Sequence, residues 1–175
     1  ASAATNPQFY DNTIGACWKN NADYCFLGTS GAIPSRVTIQ DMQIKATGTP
    51  DSAVRFANEV IATQLYRNII SCDGTHVVNL APWTSSTSVV EGNLLLATGS
   101  GTHGLSIDNG GGTQTFNVLD NTLVMTGTAG SSIGVNYVSG TVGGTLYNNM
   151  AIGFTTDCDW TPTSGTHNGT SSAAG

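Results

Sequence analysis

Histidine is the residue type in this chain best suited to metal or acid–base chemistry, and each copy ends a Gly-Thr-His tripeptide. The tripeptides are Gly74–His76, Gly101–His103 and Gly165–His167. His76 and His103 each stand two residues before a short apolar segment, which begins at Val78 or Leu105. If those segments are stacked copies, the two imidazoles could share a metal ion or form half of an acid–base site. The alternative is a turn that the repeat has copied, with His at its end.

Carboxylates, which hydrolases use in pairs as acid and base, are sparse. Glu occurs only at Glu59 and Glu91, and the closest pair of Asp residues lies near the end of the chain, at Asp157 and Asp159. No nearby carboxylate in register completes a ligand set with the two imidazoles, although Asp108 follows His103 within one short strand. Three of the other carboxylates recur at one position of the repeat described below and suit turns better than catalysis: Asp11, Asp41 and Asp120.

The composition narrows the class of protein. Charged residues make up 9% of the chain, against about 25% in a typical globular protein. With 5 Lys and Arg and a net charge of −6, we predict no nucleic-acid partner. No apolar run approaches the roughly 20 residues of a membrane helix, so we predict no membrane insertion. A neutral surface rich in hydroxyls and amides favours an extracellular or virion-surface location.

A six-residue pattern recurs along the chain and predicts the elements that must position these side chains. Its form is an apolar residue, two variable residues, Asn, one variable residue and a second apolar residue. The Asn positions are Asn12, Asn68, Asn93, Asn121 and Asn149, and Met42 takes this place in a sixth copy. Successive centres are separated by 30, 26, 25, 28 and 28 residues. A period in this range is typical of stacked repeats.

Small or apolar residues also stand two and four positions after each centre, an alternation that indicates a strand. A unit this short cannot bury its own apolar side, so we expect units to stack with parallel strands about 4.8 Å apart. We expect Asn at each bend, because it tolerates left-handed backbone angles and its amide can bond to both neighbouring coils. A second short strand is predicted at Val54–Phe56, Val78–Leu80, Leu105–Ile107 and Val135–Tyr137.

The repeated Asn and its apolar neighbours resemble the right-handed parallel β-helix family, which includes pectate lyases, polygalacturonases, phage tailspikes and surface adhesins. The resemblance covers residues 7–155. It implies an all-β, right-handed parallel β-helix (solenoid) of about six coils with a period of about 25–30 residues. We predict a β-helix domain at 1–160 and a polar Thr/Ser/Gly-rich tail or linker at 161–175. The alternative is a β-sandwich whose Asn turns are coincidental.

The chain departs from the catalytic patterns of that family's enzymes. Polygalacturonases carry a GHG element and adjacent Asp residues, whereas this chain reads THG at Thr102–Gly104. Pectate lyases combine a calcium-binding Asp cluster with an Arg, but neither Arg55 nor Arg67 has such a cluster in register. We therefore predict no catalytic residue, no metal ligand and no cofactor.

The four cysteines suggest one bridge. Cys17 and Cys25 bracket a short loop that a disulfide could close in an extracellular setting. Cys72 falls on an inward position, where a buried free thiol acts as a small apolar side chain. Cys158 lies three coils away from Cys72, so it is predicted to be free or to pair elsewhere.

Outward positions of the predicted strands offer a binding face for glycans or protein. Tyr side chains can stack on sugar rings, and a polar row can hydrogen-bond sugar hydroxyls. The alternative is an ordinary solvated strand face. Trp83 and Trp160 lie on loops, where exposed aromatics often mark contacts. The candidate residues are Tyr10, Tyr66, Tyr147, Arg55, Asn79, Asn136, His76 and His103, and Ser106 completes the polar row.

The function that these features favour is structural or adhesive and non-enzymatic. The chain would serve as a β-helix module of a virion or extracellular assembly, such as a spike, fibre, decoration or adhesin. Because a β-helix exposes strand edges at both ends, we expect caps from another domain, a partner subunit or stacked copies. A possible glycan ligand is the other predicted partner. The alternatives are a polysaccharide lyase or glycoside hydrolase, or a fragment of one, and a metal-binding module that uses His76 and His103.

Overall fold

The computed structural model describes residues 8–10, 13–17, 24–28, 36–57, 62–82, 85–108, 113–166 and 168–170. These residues form twenty strands, β1–β20 in chain order. Among them, no helix has the length and apolar character needed to cross a membrane. The predicted all-β class is confirmed.

The strands form three parallel sheets, and the chain visits each sheet once per coil. The first sheet contains β1 (Gln8–Tyr10), β4 (Val37–Gln40), β7 (Thr63–Tyr66), β10 (Ser86–Glu91), β13 (Gln114–Leu119), β16 (Val142–Tyr147) and β19 (Ser164–Thr166). The second contains β2 (Thr13–Cys17), β5 (Gln43–Ala46), β8 (Ile69–Cys72), β11 (Leu94–Ala97), β14 (Thr122–Met125), β17 (Met150–Ile152) and β20 (Gly169–Thr170). The third contains β3 (Tyr24–Gly28), β6 (Ser52–Ala57), β9 (His76–Ala81), β12 (His103–Ile107), β15 (Ile133–Tyr137) and β18 (Thr156–Cys158).

Each sheet pairs a strand with its own copy one coil away, which confirms the parallel β-helix and excludes the β-sandwich. The predicted apolar position three residues before each centre forms one inward column, in which Ile39 pairs with Leu65 and Val90 with Val118. These four side chains are fully buried. The four predicted second strands all lie in the third sheet, in register with one another. Because stacked copies share one core, every coil contributes the same columns.

The predicted Asn ladder lies at the corner between the first and second sheets. The Asn93 side-chain amide donates to the Leu65 carbonyl oxygen and to Asn121 Oδ1, both at 2.9 Å. Its own Oδ1 accepts from the backbone amide and the side-chain Nδ2 of Asn68, also at 2.9 Å. Asn121 and Asn149 repeat this geometry. Asn12 lies outside the described residues.

The left-handed backbone angle at this corner lies one residue earlier than expected. The ladder asparagines themselves are not among the residues with positive φ. The preceding residue turns the chain, which leaves the Asn side chain directed along the stack. This explains Asp41 and Asp120 as turn residues, as predicted, whereas Asp11 lies outside the described residues. The residues and their φ angles are Asp41 (55°), Arg67 (52°), Gly92 (67°), Asp120 (55°) and Asn148 (51°).

The stacking continues beyond residue 160, where a polar tail is expected from the sequence. Strand β19 pairs with β16, and β20 pairs with β17. Asn168 extends the ladder, because its Oδ1 accepts from the Asn149 backbone amide at 2.9 Å and its Nδ2 donates to the Leu146 carbonyl at 2.9 Å. The described part of 161–175 is therefore a shortened further coil.

The first coil is irregular in the second sheet. A shift between Ile14 and Ala16 brings Cys17, rather than Ala16, opposite Ala46. The predicted inward place of Ala16 is therefore displaced by one residue. The shift has no counterpart in the pairing of β5 with β8.

Candidate binding face on the third sheet

The polar residues predicted to face outward from the second strands lie together on the third sheet. Arg55, Asn79, Ser106 and Asn136 form one row across β6, β9, β12 and β15. Ser106 is fully buried within the row, and its three neighbours are half-buried. We call this row, together with His76 and His103, the third-sheet polar face.

The two histidines stack as their spacing predicts. His76 lies opposite His103 in the strand pairing, and their ring centroids are 5.4 Å apart with an interplanar angle of 27°. The backbone amide of Ile133 donates to His103 Nδ1 at 3.0 Å. Since Nδ1 is an acceptor, the neutral ring carries its proton on Nε2.

Ser106 links the row to the histidines. Its Oγ lies 2.7 Å from His76 Nδ1, and the Asn136 side-chain amide donates to the same oxygen at 3.0 Å. With no exposed surface, this hydroxyl cannot reach a substrate as a nucleophile. It fixes the orientation of the His76 ring and of the Asn136 amide.

Both imidazoles are held in the neutral form near pH 7. Burial and, to a smaller extent, the neighbouring His103 lower the pKa of His76 to about 4, while Asp51 opposes the shift. Burial also lowers the pKa of His103, and Asp159 opposes that shift. At these two positions the face therefore offers uncharged aromatic rings rather than cations.

The hydrogen bonds of His103 indicate that its Nε2 carries the ring proton and acts as a hydrogen-bond donor rather than as a metal ligand. A metal on His103 Nε2 would have to displace the ring proton, because Nδ1 already accepts from Ile133. Among the described residues, no group of three or more His, Cys, Asp or Glu could hold a metal ion. His167 lies outside the described residues.

Carboxylates stand at both ends of the polar face. Asp51 forms an ion pair with Arg55 at 3.0 Å. At the other end, Asp159 Oδ1 accepts from the Tyr137 backbone amide at 2.5 Å. Asp51 and Asp159 could not be placed on this face from the sequence, because their neighbours depend on how the loops fold over it.

An open cleft adjoins the Asp159 end of the face. Its lining includes Tyr137, whose hydroxyl donates to the Gly140 carbonyl oxygen. Trp160 also lines it, but this side chain is 5% exposed and belongs to the core. The expectation that Trp160 is an exposed loop aromatic is therefore wrong, because its ring packs against the last coils. Trp83 lies outside the described residues.

The predicted tyrosines do not form a continuous aromatic row. Tyr66 and Tyr147 occupy the same position of the first sheet, but Glu91 and Leu119 separate them. Tyr147 is 43% exposed and Tyr66 is half-buried. Tyr10 lies in β1, with its side chain outside the described part of the structure.

Two of the cysteines are free thiols. Cys72 is fully buried, and burial raises its pKa to about 11, as suits the predicted apolar role. Cys158 is half-buried and donates to the Trp160 carbonyl at 3.3 Å. The side chains of Cys17 and Cys25 are outside the described part, so their bridge stays a prediction.

Comparison of the chain with protein-family models, curated proteins and solved structures finds no match. The parallel β-helix with an asparagine ladder therefore rests on the sequence pattern and the geometry described above.

Proposed function

We propose that this chain is a rigid structural module of an extracellular or virion-surface assembly, of the spike, fibre, decoration or adhesin kind. The observation that carries this proposal is the ladder. Hydrogen bonds run without a break from the Met42 backbone amide, which donates to Asn68, to Asn168. Each coil adds about 4.8 Å of length, and each is tied to the next through buried amides as well as through three sheets.

The self-assembly part of this function is tested by the native mass in solution. Light scattering on the purified chain should give a multiple of 18.0 kDa. A mass of 18.0 kDa at every concentration would contradict self-assembly.

The third-sheet polar face supports a second part of the proposal, which is glycan binding. Asn79, Asn136 and the two neutral imidazoles present donors and acceptors without a net charge, which suits neutral sugar hydroxyls. Binding to a panel of neutral polysaccharides should be lost in Asn79→Ala/Asn136→Ala. Asn117→Ala, on the first sheet, is the matched control because Asn117 is also half-buried on an outer strand position. Equal binding by both variants would exclude this face.

The alternative is a polysaccharide lyase or glycoside hydrolase. One observation favours testing it, because the Asp159 carboxylate lies at one end of the polar face and lines the open cleft. Asp51 is too distant to act with it, since β6 and β15 are three strand spacings, or about 14 Å, apart, whereas paired hydrolase carboxylates are about 5–9.5 Å apart. Release of new reducing ends or unsaturated products, abolished by Asp159→Asn with the fold intact, would establish this alternative. Binding without cleavage would support the adhesive role.

A further inference from the structure

The outer face of the second sheet carries apolar side chains at six of its eight outward positions over four successive coils. Strands β8, β11, β14 and β17 place alternate residues inward, where Ile70, Leu95, Leu123 and Ala151 are buried. The residues between them face outward and are half-buried or exposed. We call six of these the second-sheet apolar face: Ile69, Leu94, Leu96, Val124, Met150 and Ile152.

This face is continuous. Ile69 pairs with Leu94, Leu94 with Thr122 and Thr122 with Met150 in one row. Ser71, Leu96, Val124 and Ile152 form the second row beside it. Ile69 is 42% exposed and Met150 is 44% exposed. One outer row of the third sheet, Arg55–Asn79–Ser106–Asn136, is polar. The first sheet mixes Val89 and Leu119 with Glu91 and Asn117, so the outward apolar residues are most concentrated on the second sheet.

Charge is absent from the outward positions of these four strands. In the described strands of the second sheet, the outward charged residue is Lys45, one coil before the apolar rows. The whole chain has a net charge of −6. Two copies that meet on this face therefore bring together apolar side chains without bringing carboxylates together.

We propose that the second-sheet apolar face is where a second copy of this chain packs, sheet against sheet. The inference rests on the self-assembly part of the proposed function and names its surface. Sheets pack face to face at about 10 Å with their side chains interdigitated. A two-fold axis between the coils of Leu94 and Thr122 would set the long Leu94 side chain against the short Thr122 of the partner. The same axis sets Ile69 against Met150, so the face is self-complementary, as a two-fold dimer requires.

The size of the face is that of a small, transient interface. Four strands about 4.8 Å apart and roughly four residues long cover on the order of 250 Å². A stable dimer buries about 800 Å² on each partner. The apolar rows therefore supply the centre of an interface whose polar rim comes from neighbouring corners. We expect a dimer that dissociates on dilution into the micromolar range.

The experiment measures native mass by light scattering over a wide concentration range. The test variant is Leu96→Gln/Val124→Gln, which adds polar groups to the centre of the face. The matched control is Val89→Gln, because Val89 is half-buried on the outer side of β10 in the same coil as Leu96. Circular dichroism and thermal unfolding show that each variant is folded. In the unsubstituted chain, methyl resonances of Leu94, Val124 and Ile152 should shift with concentration, a readout that does not depend on any variant.

We expect a mass that rises toward twice 18.0 kDa in the unsubstituted chain and in Val89→Gln, with association at least about tenfold weaker in the test variant. If the unsubstituted chain associates and the test variant associates equally well, this surface is wrong while the proposed function stands. Concentration-independent methyl shifts in an associating chain would likewise exclude this surface. A monomer throughout would overturn both the surface and the self-assembly from which it follows.

Discussion

Each ladder asparagine satisfies backbone groups that the corner between the first and second sheets would otherwise leave unpaired. Asn121 Nδ2 donates to the Val90 carbonyl at 2.7 Å, and its Oδ1 accepts from the Asn93 backbone amide at 2.9 Å. Both partners belong to the same neighbouring coil, which the chain reaches about one period earlier. An amide supplies donor and acceptor at one position, which neither a carboxylate nor a hydroxyl can do with this reach.

Replacing Asn93 by Ala should lower the free energy of unfolding strongly. The change removes the acceptor for two donors of Asn68 and the donor to the Leu65 carbonyl. Since a buried polar group left unpaired costs about 1–3 kcal/mol, we expect a loss of roughly 3–5 kcal/mol. Chemical unfolding measures it, with Asn117→Ala as the half-exposed control. A loss no larger than that of the control would show that the ladder does not stabilise the fold.

Folding stability should fall as the pH drops from 6.5 toward 4. The pKa of His76 is about 4 in the folded chain and 6.5 ordinarily, so in this window the unfolded chain binds a proton that the folded chain does not. The stabilising contribution is complete above pH 6.5 and is lost by pH 4. Over the 2.5 units between these two pKa values, at about 1.36 kcal/mol per unit, it amounts to at most about 3.4 kcal/mol.

The test compares unfolding free energies of the unsubstituted chain and His76→Gln at several pH values. The variant should have a shallower slope over this range, with His103 retaining a smaller dependence. Asp41→Asn is the control, because the Arg67 guanidinium lowers the pKa of Asp41 below its usual value and its titration lies at lower pH. Parallel curves for the unsubstituted chain and His76→Gln would contradict the assignment of this pH dependence to His76.

The corner between the first and second sheets has a left-handed residue at the same position in all five described copies. In one copy this residue is a glycine, Gly92. A Cβ at Gly92 would lie 3.4 Å from Arg67 Cγ, an ordinary contact. Any cost of Gly92→Ala therefore comes from the left-handed backbone, and we expect about 1 kcal/mol. Gly92→Asn should cost less, since Asn148 holds the same conformation. Thermal unfolding of both variants checks the order, and equal stability of Ala and Asn would contradict it.

Features that recur with the repeat could be predicted from the sequence, whereas features that break it could not. The columns of Ile39 and Leu65, and the stacking of His76 on His103, follow from spacing alone. The role of Asn168 was not predicted, because Gly165 and Thr170 stand at the positions where the six-residue pattern requires apolar residues. The spacing also differs, since Asn168 follows Asn149 by only 19 residues. The burial of Trp160 depends on the packing of the last coils, which no repeated spacing encodes.

In the whole molecule, the inward residues of each coil stabilise the fold, while the outward residues form the surfaces available for association. Inward residues and the ladder tie each coil to its neighbours, so coils stabilise one another in a linear array. The outward rows are free to differ between sheets. The outward row of the third sheet is largely polar and that of the second sheet largely apolar. A single repeat can therefore present two chemically different surfaces.

The net charge of −6 makes the association of two copies dependent on salt. Like charges repel over a Debye length of about 30 Å at 0.01 M salt but only about 3 Å at 1 M. Because the second-sheet apolar face brings no carboxylates into contact, salt should screen the repulsion without weakening the contact itself. We expect the dissociation constant of the dimer to fall several-fold between low and high sodium chloride. Sedimentation equilibrium across that range measures it, with Leu96→Gln/Val124→Gln as the reference. A dissociation constant that rises with salt would mean that ion pairs, such as one made by Arg67, hold the copies together instead.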